Sequence, residues 1–223
     1  MPLVACFGGT FDPVHNGHLQ AAEEVRERAD CLEVRLIPCH IPPHRMTPAA
    51  PAAARLAMLE LALAGSPRLR VDARELQREG PSYTVDTLVS LREELGEGVA
   101  LGWVLGADAV AGLDSWRDWQ RLPELAHLLL LDRPGYTLPK RGAVAELLTP
   151  RLTTVMADLH AQPAGKVWCV GQTPLAVSAT AVREVLAERR SAAHLLPLRV
   201  WAYIKQQQLY GYGSVPGREA ESE

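Results

Sequence analysis

The chain has 223 residues, of which 48% are hydrophobic and 22% are charged. This length and composition are typical of one globular domain that buries its core without disulfide bonds. The formal net charge of −3 argues against a broad basic surface for nucleic acid, so groups that bind anions must form local clusters. No apolar run reaches the length of a signal peptide or a membrane span, and we expect a protein without membrane contact.

The four cysteines are scattered along the chain, at positions 6, 31, 39 and 169. They form no CxxC pair and no spacing with histidines that is typical of zinc sites. Cys6 and Cys169 lie in apolar runs that predict buried strands, where a thiol behaves as a small hydrophobic side chain. Free cysteines without a signal peptide favour a reducing, cytoplasmic location.

Short apolar runs alternate with helical segments along most of the chain, which predicts an α/β fold. Four consecutive leucines at 128–131 fit a strand buried on both faces, as in a parallel sheet. We therefore predict a doubly wound, mainly parallel sheet in one domain over residues 1–210, followed by a disordered tail over 211–223. The predicted strands are 3–7, 32–38, 69–73, 99–105, 128–131, 152–156 and 167–170, and the predicted helices are 17–29, 52–64, 84–95, 115–122, 179–189 and 198–207.

The most informative segment is GGTFDPVHNGH, between the first predicted strand and the first predicted helix. Two glycines after a strand, Gly8 and Gly9, let a backbone approach a bulky anion, and the following helix offers free N–H groups to phosphate. His15 and His18 are three residues apart and project from one side of the first helical turn, where Gly17 leaves room for a nucleotide. Two imidazoles placed there can donate hydrogen bonds to phosphate oxygens.

Other interpretations of this segment are possible from the residues alone. The glycines can simply form a turn, and the histidines can be polar surface or capping residues. A zinc site would need a third ligand, and none stands at a suitable spacing, so no metal ligands are assigned. The segment is not a Walker loop, because no Gly-Lys-Ser/Thr follows.

The segment GGTFDPVHNGHL resembles the HxGH motif of the nucleotidyltransferase superfamily, in the form found in bacterial nicotinate-nucleotide adenylyltransferases. The resemblance implies a Rossmann-like fold and transfer of AMP from ATP, with its Mg²⁺, to nicotinate mononucleotide, giving deamido-NAD and pyrophosphate in NAD biosynthesis. It implies that His15 and His18 contact the ATP phosphates and stabilise the transition state. The ATP contacts that it implies in this first segment are Gly8, Gly9, Thr10, Phe11 and Gly17.

Two further segments would bind the mononucleotide. In IPCHIPPHR, paired prolines stiffen a loop that holds His44 and Arg45 ready for an anion, although the same residues also fit an ordinary rigid loop. The segment resembles the PPHK/R loop of the family, whose basic residue contacts the mononucleotide phosphate; asparagines are common where Cys39 and His40 stand. The segment GPSYTVDTL reads as a turn and a helix start, with Ser82 or Thr84 as the N-cap. It resembles the family's pyridine-binding SYTVDTL motif and implies contacts from Tyr83 and Thr84.

Two later segments complete the pattern. Gly106 and Asp108 end a strand, and two tryptophans follow, which cannot both face a ligand from one regular helix. The likeness to the family's GADxxxxLxxWxxW stretch implies nucleotide contacts from Gly106 and Asp108 and pyridine stacking by Trp116.

The segment LAVSATAVR predicts a helix capped by Ser178, with the permanent charge of Arg183 about one and a half turns away. Alone, it fits a capped helix with a surface arginine. It resembles the family's ISSTxIR motif, which binds the β- and γ-phosphates of ATP, with Ala179 in place of the second serine. Ser178 and Thr180 are the implied ATP contacts, and Arg183 the implied catalytic residue.

The resemblance covers residues 3–210, with the motifs in the family's order. Alternatives within the enzyme class are an acceptor such as nicotinamide mononucleotide or phosphopantetheine, or a class I aminoacyl-tRNA synthetase; the last would need a KMSKS-like loop that is not visible. From a different class, the chain could be a nucleotide-binding regulator without turnover. The sequence does not indicate an oligomeric state.

Overall fold

The computed structural model describes residues 1–43, 47–131, 138–171, 173 and 177–213. The strands of this part of the chain are β1 (Leu3–Gly9), β2 (Glu33–Pro38), β3 (Leu69–Val71), β4 (Ala100–Gly106), β5 (His127–Leu131) and β6 (Val167–Cys169). All pair in parallel, in the order β3-β2-β1-β4-β5-β6. This order is that of a doubly wound sheet, so the predicted fold class is confirmed.

Helices connect the strands along the chain. The α-helices of the described residues are α1 (Asn16–Arg28), α2 (Ala52–Leu63), α3 (Arg74–Gln77), α4 (Thr84–Leu95), α5 (Ala107–Ala111), α6 (Leu122–Leu125), α7 (Ala143–Leu148), α8 (Ala157–Ala161), α9 (Ala179–Ala187) and α10 (Leu198–Gln206). Single 3₁₀ turns lie at Leu113–Ser115, Trp119–Arg121, Thr149–Arg151 and Leu209–Gly211. None of the described helices is long and apolar enough to cross a membrane.

Alternate residues of β1 pack into two separate cores, one on each face of the sheet. Leu3 and Ala5 pack with buried side chains of α1, α2, α9 and α10. Val4 and Cys6 pack with those of α4, α6 and α7. Every residue of β5 is buried, because helices cover both faces there, as the leucine run predicts.

The sheet changes winding direction at β1, which lies between β2 and β4. In doubly wound sheets, the crevice at the carboxyl ends of the strands on either side of such a point is the usual ligand site. Here that edge carries the loop between β1 and α1 (residues 10–15), the loop between β2 and α2 (residues 39–51) and the start of α5 after Gly106. The fold thus brings three of the sequence motifs to one edge.

Two predicted elements are wrong. Residues 152–156 form no strand: Leu152 makes only an isolated bridge to Val167, and the Thr153 hydroxyl accepts a bond from Val155 N at 3.0 Å, which turns the chain away. Residues 115–122 form no regular helix, because Asp118 adopts a left-handed conformation with φ of 47° and separates two 3₁₀ turns.

Two smaller differences concern the end of the sheet and the end of the chain. Cys169 is exposed at the last position of β6, whereas a buried position was predicted. The ring of Tyr212, inside the predicted tail, packs edge-on against Trp201 with centroids 4.9 Å apart. The tail residues 214–223 lie outside the described residues, and the division into one domain and a tail stays a prediction.

Candidate active site

His15 and His18 form a stacked pair at the start of α1. His15 is the N-cap, in an extended conformation, and His18 lies in the first helical turn. Their ring centroids are 3.7 Å apart with planes inclined by 22°, and the backbone N–H of His15 donates to Nδ1 of His18 at 3.3 Å. The three-residue spacing thus places both rings on one side of the helix start, as predicted.

Both imidazoles are neutral at pH 7. Burial lowers the pKa of His15 to about 4. Burial also lowers the pKa of His18 well below its ordinary value, and the neighbouring charge of a protonated His15 would lower it further. Because Nδ1 of His18 accepts a backbone N–H, the proton of the neutral ring resides on Nε2. His18 therefore presents a neutral N–H donor.

Phe11, an implied ATP contact, packs against His18. Its side chain is only 2% exposed, and its ring meets the His18 ring edge-on with centroids 5.0 Å apart. Phe7 packs edge-on against Phe11 at 5.8 Å. The backbone of Phe11 has a φ of 49°, an uncommon value for an aromatic residue. The Phe11 ring thus packs behind His18, and its implied ATP contact stays a prediction.

The glycines of this segment allow close packing of side chains. A Cβ at Gly8 would lie 2.6 Å from Trp103, and one at Gly9 would lie 3.1 Å from the Phe11 ring. Side chains at these two positions would therefore collide with the aromatic rings, and the ATP contacts implied for Gly8 and Gly9 stay predictions. A Cβ at Gly17 would lie 2.7 Å from Val177 and 3.2 Å from the His15 ring. The absence of a side chain at Gly17 therefore lets Val177, just before α9, lie close to the histidine pair.

Asp12 connects the β1–α1 loop to three other parts of the chain, a role that the sequence did not predict. Its buried carboxylate accepts the backbone N–H groups of Ala49 and Ala50 at 2.7 and 3.0 Å. It also accepts the hydroxyl of Tyr210 at 2.8 Å. Its backbone carbonyl accepts Arg183 Nη1 at 2.7 Å. Asp12 therefore links this loop to the β2–α2 loop, the C-terminal turn and α9.

The start of α9 faces the histidine loop. The Ser178 hydroxyl accepts the backbone N–H of Ala181 at 3.1 Å, which confirms the predicted cap. Arg183 donates to the carbonyl of Asp12 and, at 3.3 Å, to the hydroxyl of Thr180. The guanidinium is thus anchored beside the β1–α1 loop although it lies more than 160 residues later in the chain.

The described part of the β2–α2 loop is tied to the turn before α4. The Ser82 hydroxyl accepts the backbone N–H of His40 at 2.9 Å, and the Ser82 N–H donates to the carbonyl of Ile41 at 2.9 Å. The N-cap position of α4 is Tyr83, without a capping side chain, so the predicted caps Ser82 and Thr84 are wrong. Ser82 joins two loops instead of capping a helix. His44 and Arg45 lie outside the described residues.

Glu75 is a buried residue that hydrogen-bonds to Thr87 of α4, and the sequence patterns did not identify it. The residue is only 4% exposed, and its carboxylate accepts the Thr87 hydroxyl at 2.6 Å. Burial raises the pKa of Glu75, while the hydroxyls of Thr87 and Ser82 lower it. The only readable signal was a glutamate four positions after the end of β3, in a segment otherwise typical of surface.

The remaining implied contacts lie at the starts of α4 and α5 and in the segment after α5. Tyr83 lies at the start of α4, where the guanidinium of Arg117 covers its ring at 4.9 Å, and Thr84 is the first residue of that helix. Trp116 is half-buried against the core. Gly106 is the N-cap position of α5 and the exposed Asp108 lies in its first turn, where a Cβ at Gly106 would lie 2.9 Å from the Asp108 carboxylate.

Metal ligands are a separate question. Within the described ranges, no group of three or more His, Cys, Asp or Glu side chains is placed to hold a metal ion. The buried carboxylate of Asp12 is already taken by two amides and a hydroxyl.

The Cytidylyltransferase-like family matches residues 6–210, which span all of these groups. The chain belongs to this family, in the branch of the nicotinate-nucleotide adenylyltransferases. A "Probable nicotinate-nucleotide adenylyltransferase" of Hahella chejuensis is 45% identical over 209 residues, which cover 93% of this chain and 95% of the relative. The protein of the same name from Pseudomonas putida is 47% identical, with coverage of 93% and 94%. The resemblance found in the sequence is thereby confirmed.

Solved structures agree on the fold. The Plasmodium falciparum nicotinic acid mononucleotide adenylyltransferase complexed with NaAD has a TM-score of 0.72 and covers 95% of this chain and 98% of its own. The same enzyme complexed with APC has a TM-score of 0.70. Identity is 16% in both cases, so these two structures bear on the architecture alone.

Proposed function

We propose that the chain is an enzyme that transfers AMP from MgATP to nicotinate mononucleotide, releasing pyrophosphate and forming deamido-NAD for NAD biosynthesis. The observation that carries this proposal is the convergence of three side chains on the β1–α1 loop. His15 and His18 stack at its end, and Arg183 donates to its Asp12 carbonyl. Neutral N–H donors beside a fixed guanidinium suit a polyphosphate better than a neutral ligand.

The chemistry balances without a covalent enzyme intermediate. The 5′-phosphate oxygen of the mononucleotide forms a bond to the α-phosphorus of ATP, and the bond from that phosphorus to the bridging oxygen breaks. The electron pair leaves with pyrophosphate. The nucleophile is already an anion, so no general base is needed, and the protein contributes position and charge stabilisation.

Each proposed catalytic residue has a distinct task. His18 donates from Nε2 to the charge that develops on the transferred phosphate, and His15 acts beside it. Arg183 holds the departing pyrophosphate, with Ser178 and Thr180 at the start of α9. Gly8, Gly9, Thr10, Gly17, Gly106 and Asp108 line the ATP side, with Phe11 behind His18. Mg²⁺ is part of the MgATP substrate and shields the phosphate charge.

The acceptor side rests on the names of the relatives and on the motifs in the order of that family. His44 and Arg45 are proposed to hold the attacking phosphate, Tyr83 and Thr84 the nicotinate carboxylate, and Trp116 the pyridine ring. Backbone amides at the start of α4 suit a carboxylate, which favours the acid over the amide. A cytoplasmic location is proposed on the free cysteines.

Pyrophosphate release tests this proposal. MgATP and nicotinate mononucleotide are mixed with the wild-type chain and with His18→Ala, and both pyrophosphate and the dinucleotide are measured. We expect turnover in the wild type and a loss of roughly 100- to 1,000-fold in the variant, with its unfolding midpoint little changed. Nucleotide binding without product in the wild type would identify a non-catalytic regulator instead.

A further inference from the structure

Arg55 is a buried arginine in an otherwise apolar face of α2. It is 1% exposed and lies on the same face as Met58 and Leu59, which are both fully buried. Its position is the first turn of the helix, where the N-cap Pro51 offers no capping side chain. None of the sequence motifs includes this residue.

The guanidinium of Arg55 connects the two substrate loops directly. Nη1 donates to the carbonyl of Thr10 in the β1–α1 loop at 2.8 Å. Nη2 donates to the carbonyl of His40 in the β2–α2 loop at 3.4 Å. The third donor, Nε, is buried and has no hydrogen-bond partner among the described residues. One planar guanidinium thus hydrogen-bonds to both loops at the carboxyl edge of the sheet.

We expect the burial of Arg55 to lower the free energy of unfolding. A cation in the first turn of a helix opposes the helix dipole. Ion pairs among the described residues involve other arginines, such as Arg35 and Arg74, but not Arg55. A buried charge without an ionic partner and with one unsatisfied donor normally destabilises a fold. The position is therefore better explained by the site than by the core.

Arg55 also borders a cavity formed by the β2–α2 loop and the start of α2. It lines a cavity of about 370 Å³ together with His40, Pro42, Thr47 and Pro51. The positive end of α2 and the guanidinium lie on the same side of this cavity, so its potential favours an anion. The β1–α1 loop and the β2–α2 loop thus contact the same positively charged side chain.

We infer that Arg55 is a positioning residue that couples the β1–α1 loop to the β2–α2 loop, so that binding of one substrate orders the site of the other. The inference rests on the proposed function, because it assigns the two loops to ATP and to the mononucleotide. Ordering of the Thr10 carbonyl by a nucleotide fixes the guanidinium, and the guanidinium then holds the His40 carbonyl. Such coupling is reciprocal for the two ligands.

The test measures acceptor affinity by calorimetry, with and without an ATP analogue whose α–β bridge cannot be cleaved. In the wild type, we expect the analogue to tighten binding of nicotinate mononucleotide about 10-fold. In Arg55→Met, we expect this ratio to fall below about 2-fold and kcat/KM to fall about 100-fold. Arg55→Lys, which keeps the charge but not the fork, should recover part of both losses.

Arg92 provides a matched control. It is a half-buried arginine of α4 whose guanidinium, within the described residues, also donates only to backbone carbonyls, those of Gly96, Val99, Leu125 and Pro163, at the opposite edge of the sheet. Arg92→Met should lower the unfolding midpoint but keep the wild-type affinity ratio and kcat/KM.

Two results would overturn the inference: no tightening by the analogue in the wild type, or an Arg55→Met variant with the same ratio as Arg92→Met. If Arg55→Met does not fold, the ratio of acceptor affinities with and without the analogue is measured in Arg55→Lys instead. A ratio below that of the wild type supports the inference, and the wild-type ratio overturns it. The proposed function fails separately, through absence of pyrophosphate release in the wild type.

Discussion

The imidazole rings of His15 and His18 stack with their centroids 3.7 Å apart, and a backbone N–H of the first fixes the tautomer of the second. Two imidazolium ions could not share this space without strong repulsion. The pair is therefore proposed to act through neutral N–H groups, and among the described residues Arg183 and Arg55 bring positive charge to the β1–α1 loop.

The free energy of unfolding should depend on pH through the titration of His15. The unfolded chain protonates His15 near 6.5, whereas burial lowers the pKa of the folded residue to about 4. Between these values the unfolded state binds more protons, so the free energy of unfolding falls as pH falls from about 6.5 to 4. For His15 alone, this loss is about 2 kcal/mol between pH 7 and pH 5.

Urea unfolding at several pH values measures this loss. His15→Asn, which has no titratable ring, is the reference, and its stability should decline less steeply over the same interval. Parallel stability curves for the two proteins would show that His15 is not buried in its neutral form.

The second prediction concerns Gly17. Alanine there favours a helix by about 1 kcal/mol, but its Cβ would lie 2.7 Å from Val177 and 3.2 Å from the His15 ring. We expect Gly17→Ala to lower kcat/KM about 10-fold through displacement of His15, with a small change in the unfolding midpoint. Steady-state kinetics with MgATP varied measures the effect.

Two companions make this experiment specific. Gly98→Ala adds the same methyl group where nothing lies within 4 Å, and it should leave kcat/KM unchanged. Val177→Ala combined with Gly17→Ala removes the clashing side chain and should restore much of the lost rate. A Gly17→Ala variant with wild-type kinetics would refute the packing argument.

The third prediction concerns Tyr210, whose hydroxyl donates to the buried Asp12 carboxylate at 2.8 Å. Burial and the Asp12 charge both raise the pKa of Tyr210, so its hydroxyl stays protonated at neutral pH. Tyr210→Phe should lower the free energy of unfolding by about 1.5–3 kcal/mol, the range for a hydrogen bond to a charged group. It should also lower kcat/KM for ATP several-fold, because Asp12 anchors Arg183.

Tyr212→Phe is the control, since the ring of Tyr212 packs against Trp201 and the change preserves that contact. Its effect should stay within about 0.5 kcal/mol. Denaturant unfolding of both variants under the same conditions makes the comparison, and equal effects would remove the special role of the Asp12 contact.

Much of the fold and part of the site could be predicted from the sequence, because both depend on local patterns. Strand β5 and helix α4 were predicted from apolar runs and periodicity, and α4 has the predicted bounds of 84–95. The histidine pair was predictable because its two members stand three residues apart at a helix start. The errors at 115–122 and 152–156 arose where a left-handed residue and a side-chain turn override apolar composition.

The supporting residues were not predictable, because their contacts join distant parts of the chain. Asp12 and Tyr210 are separated by 198 positions, and His40 and Ser82 by 42. Arg55 is the exception in principle: a charged residue on the same helical face as Met58 and Leu59 departs from the amphipathic pattern. That departure is the signal that could have identified it.

The most direct test of the central claim is the acceptor preference. The rate of pyrophosphate release is measured with MgATP and either nicotinate or nicotinamide mononucleotide, over a range of acceptor concentrations. The proposed contact of the nicotinate carboxylate with backbone amides at the start of α4 predicts that kcat/KM is at least about 10-fold higher for nicotinate mononucleotide. Equal values, or a preference for the amide, would contradict the assignment of the acceptor.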